Sequence, residues 1–182
     1  MPYALRFPAL AAALMLAACS AARLTAPEPP SLHLLPPGEA PAALLLKQKI
    51  TLQANGAQRQ FLAVARFGPK RLQLVVLSPE GQRLLSLDYD GENLLQEDYG
   101  PIDLPGREIL AIIQFAMWPE NSIKAHYPAQ DGWLVETSAA GRILLTASGA
   151  VLKIGFQHEE LSVDNYLHGY RVIVDTLERT EL

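Results

Sequence analysis

The chain has 182 residues, 49% of them hydrophobic, and its 15 basic and 19 acidic residues give a formal net charge of −4 at pH 7. This acidic balance argues against a nucleic-acid or other polyanion partner, and against docking on anionic lipid through basic side chains. The single cysteine excludes an internal disulfide.

Residues 1–18 have the pattern of a signal peptide. Arg6 precedes an apolar run that is too short to cross a membrane, and small residues follow it. The sequence from Leu16 to Ser20, LAACS, resembles the bacterial lipoprotein box, in which the cysteine is acylated and becomes the first residue. We therefore expect a signal peptide over residues 1–18 and a lipid anchor on Cys19; a secreted protein without lipid is the alternative.

Lipidation would hold the chain on a membrane, since each buried methylene of the anchor contributes about 0.8 kcal/mol. By resemblance to sorting in enteric-type bacteria, Ser20 after the cysteine implies the outer membrane, with the protein facing the periplasm. Removing Arg6 with the signal peptide changes the formal charge to 14 − 19 = −5.

The next segment is rich in proline. Residues 19–35 are predicted to form an extended, lipidated tether, because proline disfavours helices and strand ladders. The remainder, residues 36–182, is long enough for one domain with a sizeable core. The prolines on which this boundary depends are Pro27, Pro29, Pro30, Pro36, Pro37 and Pro41.

The body of the chain reads as antiparallel strands separated by tight-turn signals such as Asn55-Gly56 and Asp90-Gly91. Residues 158–169 are predicted to be either an edge strand or a loop. The predicted strands cover residues 47–53, 58–67, 70–78, 82–90, 92–98, 133–137, 142–148, 150–157 and 170–176.

Residues 105–118 are predicted to form a helix that ends before Pro119, and a shorter helix follows over residues 119–126. The first helix is apolar over more than one stripe, so we hypothesise that it packs inside a curved sheet with one flank facing a cavity. An ordinary buried core helix is the alternative. Its apolar residues are Ile109, Leu110, Ile112, Ile113, Phe115, Ala116 and Met117.

Apolar residues alternate along the strands and mix large rings with alanines on one face. Either the helix or a bound ligand must fill the space over the alanines. The residues predicted to line a lipid-binding cavity are Phe61, Ala63, Ala65, Phe67, Leu74, Val76, Leu85, Leu87, Tyr89, Ile109, Ile112, Ile113, Met117, Trp118, Trp133, Ile154 and Phe156.

No catalytic or metal-binding motif emerges from the sequence. The stretch that starts His158-Glu159 has Ser162 where a zinc-protease helix has its second histidine. Acidic residues from Asp88 to Asp103 fall near predicted turns, where solvated carboxylates are common. We therefore expect no enzyme activity, no cofactor and no metal.

Together, several features resemble the LolB-like bacterial lipoproteins. They are the lipoprotein box, the proline tether, the strands with a S-P-x-G turn (residues 78–81) and a helix with the pattern L-P-G-R-E-x-L-A-x-x-Q that ends in Trp118-Pro119. Within that group they are similar to a family of unknown function that is often encoded beside aryl-polyene or unusual fatty-acid synthesis genes. The resemblance spans roughly residues 34–177.

This resemblance implies an α+β fold, mainly β, in which helices plug or lid the hydrophobic cavity of an incomplete antiparallel barrel. It also implies a monomer that binds acyl chains of lipids or lipoproteins in periplasmic transport or outer-membrane insertion, with a LolA-like carrier as a candidate partner. The alternatives are a structural envelope lipoprotein with a filled barrel and, less favoured, an enzyme that modifies lipids.

One departure concerns the membrane-facing turn. LolB has a protruding leucine there, whereas Pro79, Glu80 and Gly81 form the turn here. A charge at this position would resist membrane insertion, so the resemblance supports the fold more than lipoprotein delivery.

Overall fold

Ten strands form one antiparallel sheet in the computed structural model, which describes residues 30–101, 104–157 and 160–182. Their order is β5-β4-β3-β2-β1-β10-β9-β8-β7-β6, so β5 and β6 are the edges and the sheet is not closed. The strands are β1 (Leu44–Ala54), β2 (Ala57–Phe67), β3 (Leu72–Leu77), β4 (Arg83–Tyr89), β5 (Leu94–Asp98), β6 (Leu134–Ser138), β7 (Gly141–Thr146), β8 (Gly149–Gln157), β9 (Glu160–Asn165) and β10 (Tyr170–Glu181).

Hairpin turns set most of this order. Asn55 and Gly56 both have positive φ angles, 51° and 74°, between β1 and β2. This conformation matches the right-handed twist of paired strands, and asparagine and glycine tolerate it best. The predicted strands are confirmed, and the sheet becomes continuous because β1 also pairs with β10.

Residues 158–169, for which the sequence left open an edge strand or a loop, contribute a strand in the interior of the sheet. β9 lies between β8 and β10, and a turn at residues 166–169 leads into β10. Residues 158 and 159 lie outside the described ranges.

Two α-helices separate the two runs of strands, as predicted. They are α1 (Gly106–Met117) and α2 (Glu120–His126). Trp118 is extended, with ψ of 154°, because Pro119 disfavours a helical predecessor. Arg142 donates from Nη1 to the carbonyl oxygens of Phe115 and Trp118, at 2.8 and 2.7 Å, which satisfies acceptors at the end of α1.

The closed part of the core lies along one flank of α1. Leu110, Ala111 and Phe115 are 0–2% exposed, and Trp118 is fully buried with its ring edge against Phe67. Burial of such apolar surface is the main favourable contribution to folding, at about 25 cal/mol per Å². Among the described helices, none has the length and hydropathy required to cross a membrane.

Part of the predicted tether packs on the helices. The compact unit begins at Ser31, ahead of the predicted start of the domain at residue 36, and residues 31–36, which we call the strap, are docked on α1 and α2. Leu35 is fully buried; its N–H donates to Oε1 of Gln114 at 2.8 Å, and its carbonyl accepts from Nε2 of the same side chain at 2.6 Å. Prolines disfavour the pairing of this segment in a sheet. The side chain of Gln114 instead bonds the backbone groups of Leu35 that a neighbouring strand would otherwise bond.

Other contacts extend this docking. Leu32 is buried, the N–H of His33 donates to the hydroxyl of Tyr127 at 2.9 Å, and Nε1 of Trp118 donates to the carbonyl of Pro36 at 3.1 Å. The imidazole of His33 also stacks on the ring of Tyr127, with centroids 4.9 Å apart. Residues 31–35 of the predicted tether therefore belong to the compact unit, while residues 19–29 lie outside the described ranges.

Candidate functional site

An apolar, partly open cavity of about 500 Å³ lies against α1 and strands from both halves of the sheet. This volume is within the range of small-molecule sites in proteins. Its lining consists of Gln48, Ile50, Leu52, Ala54, Phe61, Ala63, Leu74, Val76, Leu104, Pro105, Glu108, Ile109, Ile112, Ile113, Ala116, Met117, Leu161, Val163, His168, Tyr170, Val172 and Val174.

The two central strands give the cavity its length. Alternate residues of β1, from Gln48 to Ala54, line it, and this span of six residues measures roughly 20 Å. β10 contributes Tyr170, Val172 and Val174, which pair with residues 54, 52 and 50 of β1. The period of two in each strand therefore places a continuous apolar surface along the cavity.

Helix α1 has two different apolar flanks. Ile109, Ile113 and Met117, spaced by four residues, line the cavity and are only partly buried. Leu110 and Phe115 on the other flank are buried in the closed core. The helix is apolar on two sides because one side lines the cavity and the other packs in the closed core.

The structure brings some of the predicted lining residues together at this cavity. They are Phe61, Ala63, Leu74, Val76, Ile109, Ile112, Ile113 and Met117.

The other predicted lining residues lie outside the cavity lining, most of them in the closed core. Phe67 contacts Trp118, and the ring of Trp133 packs edge-on against Tyr127 at 5.2 Å. Alternation places the strand residues among them on the inward face of the sheet, but it does not show where along a strand the helix packs closely. They are Ala65, Phe67, Leu85, Leu87, Tyr89, Trp118, Trp133, Ile154 and Phe156.

A cluster of hydrogen-bonded polar side chains interrupts the apolar lining. Oε1 of Glu108 accepts from the hydroxyl of Tyr170 at 2.6 Å and from Nδ2 of Asn165 at 2.8 Å, while Oε2 lies 2.9 Å from Nε2 of His168. Nδ2 of Asn165 also donates to the tyrosine hydroxyl at 3.0 Å, and Oδ1 of Asn165 accepts from the backbone N–H of His168. Burial, and then the hydrogen bond to Glu108, raises the pKa of the Tyr170 phenol.

The sequence does not reveal this cluster, because Glu108 is far along the chain from Asn165, His168 and Tyr170, and the four residues follow no motif. Glu108 belongs to the first turn of α1, whereas Asn165 and Tyr170 close the hairpin between β9 and β10. The available signal was the polar pair Asn165 and His168 within residues 158–169, which are predicted to be an edge strand or a loop. No pattern in the sequence indicates that this segment contacts α1.

The turn at Pro79, Glu80 and Gly81 lies outside the cavity lining and is exposed. Gly81 has φ of 87° and its N–H donates to the carbonyl of Ser78. A hydrogen bond from the Ser78 side chain lowers the pKa of the Glu80 carboxyl. The structure therefore presents a negative charge at this turn.

Some predicted positions fall outside the described ranges, namely Cys19, Asp103, His158 and Glu159. Among the described residues, no group of three or more histidine, cysteine, aspartate or glutamate side chains is placed to hold a metal ion.

Comparison with known proteins gives a family and a distant structural similarity. The profile of a family described as "Protein of unknown function (DUF3261)" matches residues 45–178. No curated protein matches the chain. A crystal structure from Vibrio parahaemolyticus, provisionally named an outer membrane lipoprotein-sorting protein domain, is similar with a TM-score of 0.42 and 6% sequence identity, over 77% of this chain and 85% of that chain.

Proposed function

Because the chain belongs to the DUF3261 family of proteins of unknown function, we propose a function from its own geometry: it is a lipid-anchored envelope protein that holds an acyl chain in its cavity. The acyl chain would belong to a lipid or to a lipoprotein in transit to the outer membrane. A periplasmic carrier of the LolA type is the candidate partner, and α1 would serve as the wall that covers the chain.

The observation that carries this proposal is the apolar surface left without a packing partner inside the fold. Ile50, Leu52, Ile113 and Val172 line the cavity and remain only partly buried. An acyl chain that covers them gains about 0.8 kcal/mol for each methylene removed from water. A long chain would therefore bind without any covalent step.

The proposed anchor and the docked strap limit how far the domain stands from the membrane. Between Cys19 and the compact unit, which begins at Ser31, there are 30 − 19 = 11 residues. A chain of this length spans at most about 40 Å when fully extended. The domain would work within this distance of the bilayer that holds its lipid.

A role without catalysis is part of the proposal. The polar cluster at the cavity has a carboxylate and an imidazole but does not include a serine, threonine or cysteine. Ser86 and Ser162 do not hydrogen-bond to any histidine among the described residues. This arrangement supports binding rather than acyl transfer.

The test compares two tryptophan substitutions on neighbouring residues of β10. Val172→Trp would fill the cavity, whereas Ile173→Trp adds the same ring on the opposite face of the strand. The chain from Ser20 onward keeps the whole compact unit and lacks the predicted lipidation site. We expect it to bind the apolar dye N-phenyl-1-naphthylamine, Ile173→Trp to bind it equally, and Val172→Trp to lose at least about tenfold in affinity.

Two results would contradict the proposal. In the first, the unmodified chain takes up no dye, and a structural envelope lipoprotein becomes the better interpretation. In the second, both tryptophan variants bind dye as the unmodified chain does, which places the binding surface elsewhere.

A further inference from the structure

Resting on the proposed function, we propose that Glu108, Asn165, His168 and Tyr170, which we call the polar cluster, select the head group of the ligand. The cluster favours an acyl chain whose head is uncharged and donates a hydrogen bond, such as a glyceride hydroxyl or an amide. It disfavours the anion of a free fatty acid.

The position of the cluster suits a head group. Tyr170 pairs with Ala54 at one end of the cavity-lining part of β1, and Gln48 lies at the other end. Apolar side chains line the roughly 20 Å between these ends. A single acyl chain lying along β1 would therefore place its polar end at one of two polar positions, and the polar cluster is the larger.

The charge of the cluster points to an uncharged head. Glu108 supplies a carboxylate, and the cavity lining, as far as the structure describes it, contains no lysine or arginine. A second carboxylate beside Glu108 would be repelled, and the repulsion is stronger at a partly buried site than in water. No lysine or arginine of the described lining offsets it, and the imidazole of His168 already lies against Oε2 of Glu108.

The hydrogen bonds of the cluster point to a head that donates. Tyr170 and Asn165 direct their donors to Oε1 of Glu108, and Nε2 of His168 lies against Oε2. These contacts use the donors of the cluster and leave carboxylate and phenol lone pairs as acceptors. The side chain of His168 is half-exposed, so a ligand donor can take its place at Oε2 with little rearrangement.

A purely structural role makes a different prediction. An acidic residue in the first turn of a helix interacts favourably with the helix dipole, and the cluster also ties α1 to the hairpin of β9 and β10. If this were its whole role, replacing Glu108 would change stability but not the preference among ligands. The preference is therefore the measurement that separates the two roles.

The experiment measures how three lauroyl compounds displace N-phenyl-1-naphthylamine from the chain beginning at Ser20, at pH 8. 1-Lauroylglycerol is uncharged and donates hydrogen bonds, methyl laurate is uncharged without a donor, and laurate is an anion. We expect affinity to fall in that order, with laurate at least about tenfold weaker than 1-lauroylglycerol. In Glu108→Gln, which keeps the size of the side chain and removes its charge, this ratio should fall toward one.

Each result bears on the proposal separately from the proposed function. If the dye does not bind at all, the proposed function fails. If the dye binds but laurate equals or exceeds 1-lauroylglycerol in the unmodified chain, the selection fails and the acyl-binding function stands. Equal binding of methyl laurate and 1-lauroylglycerol overturns the donor requirement, and an unchanged ratio in a folded Glu108→Gln chain overturns the role of the carboxylate. The ratio in the unmodified chain tests the proposal even if that variant does not fold.

Discussion

Leu35 offers a direct test of whether the strap is part of the fold. It is fully buried, although the proline-rich sequence around it predicts a solvated tether. Leu35→Ala removes the equivalent of three methylenes, which is about 2.4 kcal/mol at ~0.8 kcal/mol each. The space left behind adds to this, and buried leucine-to-alanine changes cost about 2–5 kcal/mol in total. We expect a loss of about 3 kcal/mol in the free energy of unfolding.

The assay is urea unfolding of the chain from Ser20 onward, followed by tryptophan fluorescence. Both Trp118 and Trp133 are buried, so unfolding exposes both reporters. The matched control is Leu95→Ala, because Leu95 is 61% exposed on the edge strand β5 and should change the free energy of unfolding by less than about 0.5 kcal/mol.

A thermal melt gives a second readout. For a unit of this size, each kcal/mol lowers Tm by roughly 2–4 °C, so Leu35→Ala should lower it by roughly 6–12 °C. A loss in Leu35→Ala as small as in Leu95→Ala, with an unchanged dependence on urea, would mean that residues 31–36 are a tether after all.

Three further predictions concern the groups around the strap. Gln114→Leu should destabilise the fold by about 1–3 kcal/mol for each buried backbone group of Leu35 that it leaves without a partner, measured by urea unfolding; a neutral effect would contradict the pairing. Burial raises the pKa of Tyr127 to about 12, above its unfolded value of ~10. The stability that this raised pKa contributes is therefore complete below pH ~10 and is lost as pH rises toward 12. In Tyr127→Phe, the urea midpoint should fall less steeply between these two pH values. The hydrogen bond from Ser122 lowers the pKa of Glu39, so the resulting stability is present above the usual glutamate pKa of ~4.3 and lost as pH falls through the folded value. Ser122→Ala should weaken this acid dependence, and an identical pH profile would refute the assignment.

Local sequence signals were sufficient for the α-helices and for every described strand except β9. Asn55-Gly56 specifies a turn conformation that few other residue pairs adopt easily, so it marks the junction of β1 and β2 without knowledge of the fold. Pro119 marks the end of α1 for a comparable steric reason. Such signals act over a few residues, which is why the prediction succeeded at this level.

Interactions between distant parts of the chain were not predictable in the same way. The pairing of β1 with β10 joins residues such as Ile50 and Val174, and no local pattern selects that partner. The strap is a similar case, because a buried glutamine on α1 satisfies the backbone of Leu35. The sequence showed the alternation of Ala63 and Ala65 but not that only Ala63 lines the cavity.

The contacts of α1 bear on how a ligand would reach the cavity. At its first residue, a Cβ on Gly106 would overlap the side chains of Leu87 and Gln96, so the helix start lies directly against the sheet. At its other end, Arg142 donates hydrogen bonds to two backbone carbonyls. Gln114, which lies within the helix, is hydrogen-bonded to the strap. Swinging α1 outward would break all of these contacts and expose a fully buried flank. The cavity is already partly open on the other flank, so ligand exchange would not require α1 to leave the sheet.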